Sequence, residues 1–313
     1  MKILVTGCAG FIGSHLSEKL LKLDHEVIGI DNLNDYYDVN LKKYNLKLLQ
    51  KYENFSFLEH DIRNTQIITE QKPEKIIHLA SMAGVRYSIQ NPELYQDVNL
   101  GGMLNLLEQN KELKSDFIYA SSSSVYGNRN SFPFKEDDKI DNLQSPYALT
   151  KYCMEQYASL YHNLYNFQCI GLRFFTVYGP RGRPDMAPMK FLTAIHHQKK
   201  FQKYGNNDSF RDYTYVDDVV DGIIGALNYE KNENQIFNLG NNNMISLNKF
   251  IQTCERVVNK PALYDVIEKQ VGDVPMTCAS IEKSKKYLNY EPKIDLYQGL
   301  QNTYEEYIFR NLE

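Results

Sequence analysis

Short β-branched runs alternate with longer amphipathic stretches through the first half of the chain: KILVTG, GSHLSEKLLKL, HEVIGID, a polar helical segment to about residue 52, FSFLEHDI and KIIHLA. Strand, helix, strand at this rhythm predicts a parallel sheet covered by helices on both faces. The pattern continues with a helix over about 92–110, a strand at 116–121, a helix from about 146 to 165 and the strand FQCIGLRFF at 167–175. Together these elements predict an α/β fold built on a doubly wound parallel sheet. Past Phe175 the texture changes to TVYGPRGRPDMAP, whose glycine, proline and arginine content predicts an ordered loop over a site. Shorter elements follow, with helices expected near 187–200, 216–229, 246–258 and 294–311, and they predict a second, smaller α/β unit. The expected boundaries are 1–173 plus about 212–238 for the larger domain, and about 174–211 with 239–313 for the smaller.

Composition narrows the function. The chain has 313 residues, 42% of them hydrophobic, enough for a large core. A mean hydropathy of −0.50 and the lack of a long apolar run predict no membrane span. The start MKILVTG enters a strand directly and lacks the build of a secretory leader, so a cytoplasmic protein is expected. Cys8, Cys153, Cys169, Cys254 and Cys278 are scattered without a CxxC pair, which predicts buried small residues rather than a metal site or disulfide framework. With a net charge of −4 and no basic stripe, nucleic acid is not an expected partner.

TGCAGFIG places Gly7, Gly10 and Gly13 between the first strand and the first helix. A pyrophosphate docks at such a turn because glycine lets the backbone approach it and the helix start offers free N–H groups. Alone, the pattern equally describes a tight strand-to-helix turn. Its context adds to it: Asp31 ends the next strand, 18 residues beyond Gly13, where a carboxylate accepts from a ribose diol. Asp31 would repel a 2′-phosphate and the following NLND carries no arginine to neutralise one, so NAD is expected over NADP. Asp61 in HDIR follows the third strand, either at the adenine edge or as a turn residue.

SPYALTK gives Ser145 as a helix N-cap, Pro146 at the first helical position, and Tyr147 and Lys151 four apart on one face. A phenol of ordinary pKa ~10 is a poor base at neutral pH, and favouring its phenolate takes about 4 kcal/mol from nearby positive charge, Lys151 and a nicotinamide being the candidates. A surface pair explains the spacing equally well until SSSSVYG is considered. A strand ending at Ser122, 25 residues before Tyr147, sets a hydroxyl beside the phenol at the carboxyl edge of the sheet. Three such groups beside a nicotinamide suit hydride transfer at an alcohol carbon.

In order along the chain, TGCAGFIG, DIR, HLAS, SSSSVYG, YALTK, RFFTVYGPRGRP, RDYTYVDDVV and GDVP resemble the extended short-chain dehydrogenase/reductase family of nucleotide-sugar epimerases and dehydratases. The resemblance covers nearly the whole chain and is most similar to the UDP-glucuronate 4-epimerase branch, through DNLNDYYD, AGVRYS, Thr176 in RFFTVYGP and RPDMA. It implies a catalytic trio of Ser122, Tyr147 and Lys151, and a Rossmann-like NAD-binding domain beside a nucleotide-sugar-binding one. It places Phe11, Ile12, Asn32, Ile62, Leu79, Ala80 and Asn99 near the cofactor, Arg86 over the sugar and phosphates, and Arg183, Arg211 and Asp273 around the UDP. Ser122, Ser123, Ser124 and Thr176 would face the substrate carboxylate. Val271 and Ser280 depart from the family pattern around Asp273. The family also implies a homodimer through the helices near 92–110 and 146–165, although Leu104, Leu107, Met154 and Leu160 equally suit an intrachain core.

The implied reaction is 4-epimerisation through a 4-keto sugar. Neutral hydroxyls at 123, 124 and 176 suit a uronate, where acids would repel it, and the absence of those acids disfavours dehydration. The alternatives are a 4-epimerase of a neutral or N-acetylated UDP-hexose, a UDP-glucuronate decarboxylase, and an inactive NAD-binding regulator.

Overall fold

The computed structural model describes residues 1–205, 209–268 and 274–310. Seven parallel strands form the main sheet: β1 (Lys2–Thr6), β2 (Glu26–Asp31), β3 (Phe55–Glu59), β4 (Lys75–His78), β5 (Asp116–Ser122), β6 (Cys169–Phe174) and, later in the chain, β10 (Asn234–Leu239). Their order is β10-β6-β5-β4-β1-β2-β3. Strand order therefore reverses at β1, and the crevice opens at the carboxyl ends of β1 and β4.

Both faces of this sheet are covered, which is why its strands read as continuous apolar runs. Ile3, Val5, Ile77, Ile118 and Leu172 pack with the first helix, Phe11–Lys22, and with Val216–Leu227. Leu4, Ile28, Ile76, Phe117 and Tyr119 pack on the other face with Leu106 and Met154. At the switch point, the Thr6 hydroxyl accepts from the amides of Leu79 and Ala80, at 3.1 and 3.0 Å, and contacts His78 Nδ1 at 2.8 Å. One buried side chain thus sets the course of the segment leaving β4.

The remaining strands are short. β7 (Thr176–Tyr178), β9 (Phe210–Tyr215) and β11 (Met244–Ser246) form a three-stranded sheet, and β8 (Phe201–Tyr204) pairs in parallel with β12 (Tyr264–Ile267). The stretch after Phe175 is thus partly strand rather than all loop. Helices at Ala187–His196, Leu247–Val258 and Leu296–Arg310 cover these sheets within a few residues of expectation.

The expected single helix over 92–110 is broken. Pro92–Tyr95 is followed by a π-helical turn at Gln96–Gly101, and then by an α-helix at Gly102–Leu113. The buried Asn99 lies in that turn, where its carboxamide accepts from Met82 N at 2.8 Å and donates to Met82 O and to Thr150 Oγ1. Such local widening accommodates a side chain bonded outside the helix. Four cysteines are buried, and Cys153 is only half-buried, a correction to the expectation for all five. Among the described residues, no helix is long and apolar enough to cross a membrane, and no His, Cys, Asp or Glu group is arranged to hold a metal.

Candidate active site

One cleft of about 900 Å³ runs from the glycine loop, across the carboxyl ends of β4 and β5, to β8 and β9. At its first end, Gly7 adopts φ +72° and a Cβ there would lie 2.9 Å from Ala80 N. A Cβ on Gly13 would lie 2.0 Å from Gly7 O, so the helix can approach the turn only as glycine. The Phe11–Lys22 helix begins with no side-chain cap and no acid in its first turn, which leaves its amide donors facing the cleft for an anion. Gly10, Phe11 and Ile12 line the same wall.

Asp31 ends β2 at this wall, accepting from Leu33 N at 2.9 Å and Ala9 N at 3.3 Å. Burial raises its carboxyl above the ordinary value, and the charge of Lys42, 3.9 Å away, works against that rise. Asp61 follows β3 and is held far below the usual carboxylate range, chiefly by Arg63, whose Nη2 donates at 2.7 Å. Asn32 Nδ2 also donates to Asp61, at 2.8 Å. Asn32, Asp61, Ile62, Leu79 and Ala80 all line the cleft. The uncapped helix start, the glycine cradle and an acid at the strand end fit a dinucleotide.

Midway, Ser122 ends β5 and caps a short 3-10 turn, Ser123–Tyr126, accepting from Ser124 N at 3.1 Å. Its hydroxyl also donates to Ser124 Oγ at 3.1 Å, and Ser122 lines the cleft together with Tyr147. Tyr147 and Lys151 lie on the Pro146–Tyr165 helix, which starts as the sequence implied, with Ser145 accepting from Ala148 N at 3.1 Å. Lys151 Nζ donates to Ala120 O at 2.8 Å and Ser81 Oγ at 3.0 Å, and stands 5.9 Å from the centre of the Tyr147 ring.

Burial raises the Tyr147 phenol above its ordinary value, while the Ser122 hydrogen bond and the Arg183 charge pull it down. Burial also drops the Lys151 ammonium to about 7. In the chain by itself, then, Ser122 and Arg183 favour the phenolate, and Lys151 is committed to Ala120 and Ser81.

At the far end, Ser123, Ser124 and Thr176 are half-buried and line the cleft with Arg86, Arg183 and Arg211. Arg183 forks onto Asp185 through Nε at 3.0 Å and Nη2 at 2.7 Å, and lies 5.0 Å over the Tyr36 ring. Arg86 lies 4.3 Å over the Tyr204 ring, and Arg211 Nη1 donates to Phe210 O and Pro275 O.

Two expected site residues stand apart. Asn99 does not line the cleft; all its polar atoms are spent on Met82 and Thr150, so it shapes the wall from behind. Asp273 lies outside the described residues. Lys42, Tyr36, Ser81 and Tyr204 line the cleft and were not singled out. Lys42 sits in VNLKKY, which reads as a solvated helix face, although it is 4% exposed. Ser81 and Tyr36 lie within quoted motifs, HLAS and DNLNDYYD, and position alone could have raised them.

A family model described as GDP-mannose 4,6 dehydratase matches residues 4–303. A UDP-glucuronate 4-epimerase of Thermodesulfobacterium geofontis is 44% identical over 309 residues, spanning 96% of this chain and 94% of that protein. The crystal structure of a UDP-glucuronic acid 4-epimerase from Bacillus cereus, in complex with UDP-glucuronic acid and NAD, gives a TM-score of 0.94 at 36% identity and covers 100% of both chains. A UDP-glucose 4-epimerase of Thermotoga maritima, solved with UDP-glucose, gives 0.89 at 32% identity, again covering 100% of both. The chain belongs to the GDP-mannose 4,6-dehydratase family, among the extended short-chain dehydrogenases/reductases that its motifs resemble.

Proposed function

We propose that this chain interconverts UDP-glucuronate and UDP-galacturonate as an NAD-dependent 4-epimerase. The observation that carries this reading is one cleft in which Ser122 and Tyr147 stand between a dinucleotide cradle and three neutral hydroxyl residues, Ser123, Ser124 and Thr176. The Bacillus cereus relative, bound to UDP-glucuronic acid and NAD, supports both ligands.

NAD, when bound, supplies the reversible hydride acceptor for the sugar C4. Tyr147 takes the 4-hydroxyl proton and later returns it to the same oxygen, once the 4-keto sugar has turned its other face to the cofactor site, while Ser122 holds the oxygen in line. Lys151 binds the cofactor ribose and adds positive charge near the phenol. Asp31 accepts from the adenosine ribose, Asp61 and Asn32 border the adenine, and the glycine loop meets the pyrophosphate. Arg86, Arg183 and Arg211 neutralise the UDP-sugar phosphates, and Asp273 is assigned to the UDP moiety with Arg183 and Arg211.

A 4-keto uronate is a β-keto acid and loses CO2 most easily when the breaking C–C bond stands perpendicular to the ketone plane. Hydroxyl donors from Ser123, Ser124 and Thr176 hold the carboxylate away from that geometry, which favours epimerisation over decarboxylation. The Thermotoga maritima relative, solved with UDP-glucose, keeps a neutral hexose as the second reading. Assaying UDP-glucuronate and UDP-glucose side by side tests it: a uronate specialist converts the first at least tenfold more efficiently, and the reverse order overturns the choice. An NAD-binding regulator would have no use for Ser122, Tyr147 and Lys151 together.

We further propose two units, 1–173 with about 212–238, and about 174–211 with 239–313. The return of β10 to the main sheet supports the first grouping, while β9 pairs with the small sheet. A homodimer through the helices near 92–110 and 146–165 is supported, on the second of them, by Leu149, Leu160 and Leu164, exposed by 50%, 48% and 62%. Leu107 and Met154 belong to the chain's own core, and Leu104 packs partly against it. Highly charged ligands that do not cross membranes favour a cytoplasmic place of work.

A further inference from the structure

The sequence YALTKYCMEQ puts Tyr147, Lys151 and Glu155 at successive four-residue steps, along one face of the Pro146–Tyr165 helix. Three consecutive residues at the end of β5 meet them. Ala120 O accepts from Lys151 Nζ at 2.8 Å, Ser121 Oγ donates to Glu155 Oε1 at 2.6 Å, and Ser122 lines the cleft with Tyr147. Arg173 on β6 is the register partner of Ser121. It closes a two-point fork on Glu155, Nε to Oε1 at 2.9 Å and Nη2 to Oε2 at 2.8 Å. Its guanidinium stacks 4.8 Å from the Tyr126 ring centre, and Tyr126 is itself fixed to Asn238 Oδ1 at 2.7 Å.

Ser121, Glu155 and Arg173 are 2%, 4% and 3% exposed. A buried ion pair is weak support for stability, because desolvation of the two charges offsets most of their attraction. What it does provide is a fixed geometry, since the planar fork accepts a carboxylate in one orientation. With Glu155 so fixed, the short Ser121 bond holds the strand end at a set distance from the helix, between the two residues that contact Lys151 and Tyr147.

We propose that Ser121, Glu155 and Arg173 form a buried brace that sets the spacing between Ser122 and Tyr147, and that Ser121 is a positioning residue for proton transfer at the sugar 4-hydroxyl. The proposal rests on the reading of Ser122, Tyr147 and Lys151 given above. Loss of the Ser121 hydroxyl leaves both Arg173 bonds to Glu155, so the fold is kept while the strand end is freed. Removing Glu155 or Arg173 instead leaves a buried charge alone and endangers folding.

The test compares wild type with Ser121→Ala and Ser121→Thr. Because the Ser122 hydroxyl favours the phenolate, a displaced Ser122 raises the Tyr147 pKa, read by ultraviolet titration of phenolate with Tyr147→Phe as the blank. The expected result is an upward shift in Ser121→Ala and none in Ser121→Thr, which keeps the hydroxyl. In turnover, Ser121→Ala should lose about 10- to 100-fold in kcat with KM within twofold, and the acid limb of its pH profile should move up. An unshifted titration with unchanged kcat overturns the brace, as does an equal loss in Ser121→Thr. If wild type epimerises no UDP-sugar, the functional reading fails, and the titration still decides the brace.

Discussion

Lys151 donates to the Ala120 carbonyl at 2.8 Å, within a site that reduces its ammonium pKa to about 7. In the unfolded chain this lysine titrates near ~10.4, so between about pH 7 and 10 the unfolded state holds more protons and folding becomes more favourable as pH rises, by at most about 1.4 kcal/mol per pH unit. The ligand-free wild type should therefore gain melting temperature relative to Lys151→Met between about pH 7 and pH 9. Parallel melting curves across that range would contradict a buried, proton-shedding Lys151.

Ser122→Ala removes the hydroxyl that lowers the Tyr147 phenol. The acid limb of the kcat profile should move to higher pH, and kcat should fall about 10²-fold at neutral pH. Tyr147→Phe should lose at least about 10³-fold while NAD stays bound. Stopped assays across pH, with bound NAD measured after denaturation, check both; release of NAD from Tyr147→Phe would make it a binding residue instead.

Ser124→Glu places a like charge where the uronate is to be held. The KM for UDP-glucuronate should rise tenfold or more, with any turnover of UDP-glucose little affected. Equal losses on the two substrates, in steady-state kinetics, would mean that Ser124 only fills space.

Much of this architecture was legible. Runs such as KILVT and EVIGID are apolar between their ends because both sheet faces are covered, so the strands stood out against the amphipathic stretches between them. Gly7, Gly13 and Asp31 were legible because backbone approach and a strand-end acid have few other uses at that spacing. What sequence could not carry was pairing across long separations. Ser121 and Ser122 look alike in a run of four, yet one reaches Glu155 and the other Tyr147. Asn99 carried a family role, but its own π-helical turn points it at Met82 and Thr150. The added pull of the Arg183 charge on Tyr147 was not legible, since it depends on where the chain folds back 36 residues later.

Gly13→Ala tests the cradle. Its new methyl would stand 2.0 Å from Gly7 O, against backbone that cannot yield cheaply. The variant should purify without NAD and be less stable by about 1–3 kcal/mol, by cofactor content and urea unfolding. Full NAD content would show that the loop has room the structure denies.

The central claim, transient oxidation at C4 of a uronate with its carboxyl kept, is tested most directly with UDP-glucuronate carrying deuterium at C4, followed by NMR. The account predicts UDP-galacturonate with the deuterium still at C4, without added NADH and without CO2. Exchange of that deuterium into water, or a 4-keto pentose released with CO2, would contradict it.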